Sequence, residues 1–251
     1  MSGRLQGKVA LITGAGNGIG LAAVKKFVAE GAKVIAVDLD ITNAEKELKG
    51  NDSVIFVRGD VTKEDEVNAY SFLGVEKFGK LDVALLNAGA SHPTQSWLET
   101  DVAVLDKMYD VNIKGPWLGM KHAVAAMISS PHGGKGGSVV LTASVASLYG
   151  QTEFSPYVAS KWAVRGVGLT AAQEFGALGI RVNTIQPGAT RTQMYMGSFT
   201  EETRNEIESA NVLKRAADPS EIANVMLFLA SDESSFMTGS TVAVHGGQTP
   251  T

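Results

Sequence analysis

The 251-residue chain contains no cysteine, which excludes disulfides, thiolate metal ligands and a cysteine nucleophile together. Histidine is scarce too. The 4 present nowhere form H-E-x-x-H or a similar ligand spacing, so no metal site is expected. No apolar run is long enough to cross a bilayer, which argues against a membrane partner. The opening "MSGRLQGK" has neither an apolar signal core nor an arginine-rich amphipathic pattern, and a cytoplasmic location is expected. With a formal charge of -4 and no clustered basic stripe, nucleic acid is not an expected partner either.

What is present is a chain that is 44% hydrophobic, without a break in composition and long enough for one sizeable core. A single domain over residues 1–251 is expected. Short β-branched runs alternate with helical stretches: "KVALIT", "KVIAVD", "SVIFVR", "LDVALLN", "GSVVLTAS", "IRVNTIQ" and "STVAVH". Most are too continuously apolar for strands with one wet face. They predict an α/β fold, a doubly wound, Rossmann-type parallel sheet of about seven strands with helices on both faces. The glycine-rich "SSPHGGKGGS" reads as a flexible surface connection. Residues 191–214 break the rhythm after the sixth run, which predicts a substrate-binding insertion or lid over the C-terminal edge of the sheet.

In "VALITGAGNGIG", Gly14, Gly16, Gly18 and Gly20 crowd together. A glycine inside a regular element costs roughly 0.5–1 kcal/mol against alanine, so the cluster needs a steric reason. The stretch joins a buried strand to the helical pattern "GLAAVKKFVAEGA", which stops at Gly31. A turn bare of side chains at a helix start suits a diphosphate, because unpaired N–H groups and the positive end of the dipole lie there. The spacing is G-x-x-x-G-x-G, not the more familiar G-x-G-x-x-G. "KVIAVDLD" then places Asp38 at a strand end about twenty residues on, where a carboxylate can accept hydrogen bonds from an adenosine ribose. A phosphate on that ribose would meet Asp38 and Asp40, with no positive charge at Asn17 or Leu39. NAD is favoured over NADP. The alternative is that Asp38 simply caps the next helix.

"SPYVASKWAVRG" sets Tyr157 and Lys161 four apart, on one face of a helix. Upstream, Ser144 is expected to end the strand "SVVLTAS", at the edge where open α/β sheets bind ligands. The three can converge on an alcohol or carbonyl. A tyrosine is a poor base near neutrality. A lysine ammonium about 4 Å away would be worth on the order of 4 kcal/mol, so Tyr157 is expected to be pulled down towards neutrality. Ser144 would donate a hydrogen bond to the substrate oxygen, unless its hydroxyl is spent on backbone.

In this order and spacing the motifs resemble the short-chain dehydrogenase/reductase family, from Lys8 to Gly247. "TGAGNGIG" is similar to the family's glycine turn, with Gly14, Asn17, Gly18, Ile19 and Gly20, and Asp38 and Leu39 follow the second strand. The resemblance implies NAD(P)-dependent oxidoreductase activity. It implies adenine contacts from Asp60 and Val61 in "GDVT", a post-strand turn at Asn87, Ala88 and Gly89, and a nicotinamide-side loop "PGATRT" with Pro187, Gly188, Thr190 and Thr192. "VNIKG" contributes Val111 to the cofactor and Asn112 to a catalytic tetrad with Ser144, Tyr157 and Lys161. In the family the backbone oxygen of that asparagine holds a water linking the lysine to solvent. Here Pro116 has no N–H to offer that oxygen in an α-helix. Assembly as a homotetramer or homodimer is implied as well. Two departures stand out: Leu86 replaces a common asparagine, which is expected to alter turn packing, and His245 replaces a common aspartate near the last strand's end.

The substrate pocket is expected to take its walls from His92, Trp97, Ala146, Phe154, Met194 and Tyr195, with Met196 and Phe199 nearby. They are mostly apolar, which suits a medium-sized secondary alcohol or ketone. A 3-oxoacyl-carrier-protein reductase using NADPH, a polyol or sugar dehydrogenase, and a noncatalytic dinucleotide-binding protein are the alternatives.

Overall fold

All seven apolar runs form strands in the computed structural model, which describes residues 3–248. They are β1 (Val9–Thr13), β2 (Lys33–Asp38), β3 (Val54–Arg58), β4 (Val83–Leu86), β5 (Ser138–Thr142), β6 (Arg181–Pro187) and β7 (Thr241–Val244). Their side chains alternate between two cores, as a pleated strand buried on both faces requires. Ala10, Ile12, Val34 and Ala36 point to one core, and Leu11, Ile35, Val37 and Leu141 to the other. One parallel sheet results, in the order β3-β2-β1-β4-β5-β6-β7.

Helices α1 (Gly18–Ala29) and α9 (Pro219–Ala230) cover the first core, supplying Leu21, Val24, Phe27, Ile222, Met226 and Leu227. The second core is covered by α3 (Glu64–Phe78), α5 (Gly115–Ser129) and α6 (Ser155–Phe175). The shorter α2 (Thr42–Glu47) and α4 (Val102–Tyr109) lie on connections, and α7 (Gln193–Ser198) and α8 (Glu201–Ala210) occupy the break in rhythm at residues 191–214. The strand order reverses between β1 and β4, which opens a crevice at their C-terminal ends. Among the described residues no helix is long and apolar enough to cross a membrane.

Three details differ from the sequence reading. Helix α1 already starts at Gly18, so Gly18 and Gly20 belong to its first turn and not to the loop. Strand β5 ends at Thr142, not at Ser144. Ala143 N–H still reaches Ile185 O at 2.9 Å, but Ser144 then caps a single 3-10 turn, Val145–Ser147. The glycine-rich connection is built of hydrogen-bonded turns, with Gly136 N–H donated to Gly179 O at 3.1 Å and Gly134 N–H to His132 Nδ1 at 3.1 Å. Of "MSGRLQGK", the first two residues lie outside those described, as do residues 249–251 of the expected domain.

Candidate active site

The glycine turn is a cradle that side chains would fill. Gly14 has φ +67° and Gly18 φ +54°, a region favouring glycine. A Cβ on Gly14 would lie 2.8 Å from Ala88 Cα, and one on Gly20 would overlap Gly14 O. Asn17, at the start of α1, makes no side-chain cap; its Oδ1 instead accepts Asn43 Nδ2 at 3.1 Å. The first-turn N–H groups of α1 are thus left to whatever occupies the cradle, which fits the diphosphate of a dinucleotide.

Asp38 ends β2 and does not cap α2. Its Oδ2 accepts Gly16 N–H at 2.8 Å and its Oδ1 accepts Asp40 N–H at 3.1 Å, which ties the carboxylate to the rim of the cradle. Leu39 is exposed beside it. A cation the sequence reading did not consider stands nearby: Arg58, in register with Asp38 across β2 and β3. Hydrogen bonds from Thr42, aided by the Arg58 charge, hold the Asp40 carboxyl below its usual range. Asp60 accepts Thr62 N–H and Oγ1–H at 2.9 and 2.8 Å, and Val61 packs over Gly115.

Across the crevice, Thr13 Oγ1 accepts the N–H groups of Asn87 and Ala88, both at 3.1 Å, and Asn87 Nδ2 reaches Thr13 O at 3.2 Å. The preceding Leu86 is buried against Gly119 of α5, where a Cβ would come within 2.7 Å of Leu86 Cδ2. Asn112 sits in a π-turn, Asp110–Lys114, between α4 and α5, with Val111 beside it. Its buried amide accepts Ala90 N–H at 2.8 Å and donates to Ala90 O at 2.9 Å and Ser160 Oγ at 3.0 Å. Ser160 Oγ–H in turn reaches Tyr157 O at 2.8 Å. Asn112 and Ser160 therefore tie the turn after β4 to the helix that carries Tyr157 and Lys161. The sequence reading missed Ser160, although it lies within "YVASK".

Lys161 is 4% exposed, donates to Thr142 O at 3.1 Å and lies 5.6 Å from the centroid of the Tyr157 ring. Burial takes its ammonium down to about 8. Burial also raises the Tyr157 phenol above its ordinary value, and the facing Ser144 hydroxyl offsets this in part. This corrects the expectation of a phenol already drawn towards neutrality, because the ammonium is turned to the Thr142 carbonyl. Ser144 Oγ accepts Ala146 N–H at 3.2 Å, and Ala146 is buried behind it.

An aromatic line runs from the site to the insertion: His92 to Phe154 at 4.8 Å, Phe154 to Tyr157 at 4.7 Å, Phe154 to Phe199 at 5.5 Å and Phe199 to Tyr195 at 5.8 Å. His92 Nδ1 lies 2.6 Å from Pro93 O; a carbonyl only accepts, so Nδ1 carries the proton. Its Nε2 is buried without a partner among the described residues. Two expected wall residues are open to solvent. Trp97 is 77% exposed in a turn with Leu98, and Met194 on α7 is 42% exposed. The irregular loop around Trp97 carries no period that fixes an inward side, so the sequence alone does not orient that ring. Phe199 is the ring that reaches Phe154.

The expected nicotinamide-side loop follows β6. Gly188 N–H bonds to Val244 O at 3.1 Å, and a Cβ on Gly188 would lie 2.8 Å from His245 Cα, so the tail crosses Pro187 and Gly188 closely. His245 Nδ1 accepts Gly247 N–H at 3.2 Å, which closes that tail. Thr190 Oγ1 bonds Gly188 O at 3.0 Å, and Thr192 caps α7 through Tyr195 N–H at 3.2 Å. Arg191 is exposed and pairs with Glu208 of α8 at 3.7 Å.

Known proteins resemble this chain over nearly its whole length. The family model described as Enoyl-(Acyl carrier protein) reductase matches residues 14–249. Short-chain dehydrogenase reductase 3c of Arabidopsis thaliana is 40% identical over 99% of this chain and 97% of its own length. (+)-Borneol dehydrogenase 2 of Salvia officinalis is 36% identical over 99% of this chain and 91% of its own. The crystal structure of 3-ketoacyl-(acyl-carrier-protein) reductase from Brucella melitensis complexed with NADH superposes with a TM-score of 0.90 at 30% identity, covering 97% of this chain and 99% of that one. The chain therefore belongs to the short-chain dehydrogenase/reductase family of oxidoreductases.

Proposed function

We propose that the chain moves hydride between a secondary alcohol or ketone and a nicotinamide dinucleotide, NAD(H) in preference to NADP(H), with Tyr157 as general acid and base. The observation that carries this reading is the buried Lys161 ammonium 5.6 Å from the Tyr157 ring, with the Ser144 hydroxyl facing the same phenol. Gly14, Asn17, Gly18, Ile19 and Gly20 would hold the diphosphate, Asp38 and Leu39 the adenosine ribose, and Asp60, Val61 and Val111 the adenine side. Residues 87–89, Pro187, Gly188, Thr190 and Thr192, with Tyr157 and Lys161, would hold the nicotinamide half. When bound, the dinucleotide accepts the hydride in oxidation and returns it in reduction.

The chain's own work is proton handling and orientation. Ser144 has a lone pair taken by Ala146 N–H, which leaves its O–H free to point at the Tyr157 oxygen, and at the substrate oxygen when an alcohol or ketone is bound. In oxidation the alcohol O–H bond breaks and its proton goes to the Tyr157 oxygen, as the C–H electron pair leaves the same carbon and the C=O bond forms. In reduction Tyr157 gives the proton back. Lys161, held on the Thr142 carbonyl at 3.1 Å beside the Tyr157 ring, would hold the nicotinamide ribose and orient it toward the phenol. Asn112 and Ser160 fix the helix that presents both.

The apolar wall of Phe154, Phe199 and Tyr195 suits an alicyclic or aromatic alcohol more than a polyol. The insertion at residues 191–214 acts as the lid over it, part of a single domain. For assembly, α4 to α6 leave Leu105, Tyr109, Trp117, Trp162 and Leu169 exposed, a surface that suits a homodimer or homotetramer. The test is a 340 nm absorbance screen of cyclic, aromatic, polyol and acyl-thioester substrates with both dinucleotides. Turnover confined to acyl thioesters with NADPH, or none with any substrate, would overturn the reading.

A further inference from the structure

We infer that Gln186 is a positioning residue for the reacting hydroxyls: acting through Ser147, it fixes the main chain of Ser144 and so the donor that Ser144 presents to Tyr157. The inference rests on the roles proposed above for Ser144 and Tyr157. Gln186 is a long polar side chain near the end of β6 and only 1% exposed. An amide buried that deeply must spend its hydrogens on protein, at a cost of about 1–3 kcal/mol if it cannot. Its Nε2 donates to Ser147 Oγ at 2.8 Å.

Ser147 is fully buried and has one hydroxyl proton, which it donates to Ser144 O at 2.6 Å. Its own N–H reaches the same carbonyl at 2.9 Å. Ser144 is thus held through its carbonyl by two donors from Ser147 and through its Oγ by Ala146 N–H. The direction of the chain is fixed by its chemistry. A hydroxyl that accepts from an amide donates better, so Gln186 strengthens the bond from Ser147 to the Ser144 carbonyl. Neither residue reaches the phenol. They act on it through Ser144, whose hydroxyl draws the Tyr157 phenol back down against the effect of burial.

Titration of Tyr157 tests this without depending on the identity of the substrate. The chain is labelled with tyrosine carrying ¹³C at Cζ, bound to NAD⁺, and followed by NMR against pH, with Tyr157→Phe assigning the resonance. Gln186→Leu and Ser147→Ala should each move the Tyr157 midpoint upward, in the direction of Ser144→Ala. The double variant should move it no further than Ser147→Ala alone. With cyclohexanol as the probe alcohol, kcat should fall about tenfold, the worth of roughly one hydrogen bond, while the KM for NAD⁺ stays put. If Gln186→Leu fails to fold, Ser147→Ala, which removes a single hydroxyl, carries the same test. A midpoint unmoved in Gln186→Leu and Ser147→Ala but moved in Ser144→Ala overturns this inference alone and leaves both residues a merely structural role. A midpoint unmoved by Ser144→Ala overturns the Ser144–Tyr157 pairing itself.

Discussion

Gly18 and Thr192 stand face to face: a Cβ on Gly18 would lie 2.9 Å from Thr192 Cγ2. The first turn of α1 and the start of the insertion therefore touch through a bare backbone, and Thr192 is also the cap of α7. Gly18→Ala would add a methyl at a φ of +54° and push that loop outward. The prediction is a chain that folds but binds NADH at least tenfold more weakly, about 1.4 kcal/mol, in a fluorescence titration. Unchanged affinity would mean that the contact can give without cost.

The proposed preference for NAD(H) rests on Asp38. Its Oδ2 is anchored by Gly16 N–H, so it cannot swing away from a phosphate placed on the ribose. The kcat/KM with NAD(H) should exceed that with NADP(H) by at least about tenfold. Because Arg58 stands in register with Asp38, Asp38→Ala should do more than remove repulsion. The variant should narrow the ratio by raising NADP(H) use, and Asp38→Ala/Arg58→Ala should lose that gain. Equal use of both dinucleotides by the unaltered chain would refute the assignment.

The sequence revealed the strands and the cradle for a physical reason. Strands buried on both faces are continuous apolar runs, as at Val34 to Val37, and a glycine with a backbone neighbour cannot be replaced. It did not reveal directions that depend on one contact. Whether Lys161 serves the Tyr157 oxygen or the Thr142 carbonyl is a matter of side-chain torsion, and Trp97 points outward because of a loop turn. Gln186 was read only as a residue of "IRVNTIQ"; a polar residue in an otherwise buried run was the signal available.

Lys161 should weaken the fold that it serves. Its folded value, about 8, lies below the 10.5 of an exposed lysine, so burial of the charge opposes folding, by about 3 kcal/mol below pH 8. Between about pH 8 and 10.5 the unfolded chain holds a proton that the folded chain has released, and this contribution to stability rises with pH. Lys161→Met, without cofactor, should be more stable than the parent at pH 7 and should lose the gain between pH 8 and pH 10. Urea unfolding at several pH values reads both effects. Parallel curves for the two chains would refute the shift.

Tyr157 carries the opposite pH signature. With its phenol raised by burial, the base form that the proposed role calls for in oxidation would appear only as pH rises, while the neutral acid that it calls for in reduction is plentiful at pH 7. Oxidation kcat/KM should therefore climb into the alkaline range and reduction should decline there. Tyr157→Phe should lower turnover by about a hundredfold or more yet still bind NADH by fluorescence. Retained turnover would move the acid–base role to another group.

Pro116 is the last test, because it separates packing from chemistry. The π-turn Asp110–Lys114 widens the helix at Asn112, with Gly115 N–H bonded back to Asp110 O across five residues. An α-helical bond to Asn112 O would have to come from residue 116, where proline has no N–H, so the α register is excluded there by covalent structure. Pro116→Ala restores that donor and permits the turn to tighten. Asn112 holds Ala90 and Ser160 through its side chain, and a rotated backbone would draw on both contacts. If the open carbonyl serves proton exchange between Lys161 and solvent, Pro116→Ala should lower kcat several-fold between about pH 6 and 9, with NADH affinity unchanged. A normal kcat with a shifted melting temperature would confine Pro116 to shaping the helix. The same variant also bears on the fold: a structure of it that keeps the five-residue turn would show that Asn112's side-chain bonds, and not the missing N–H, hold the π-turn open.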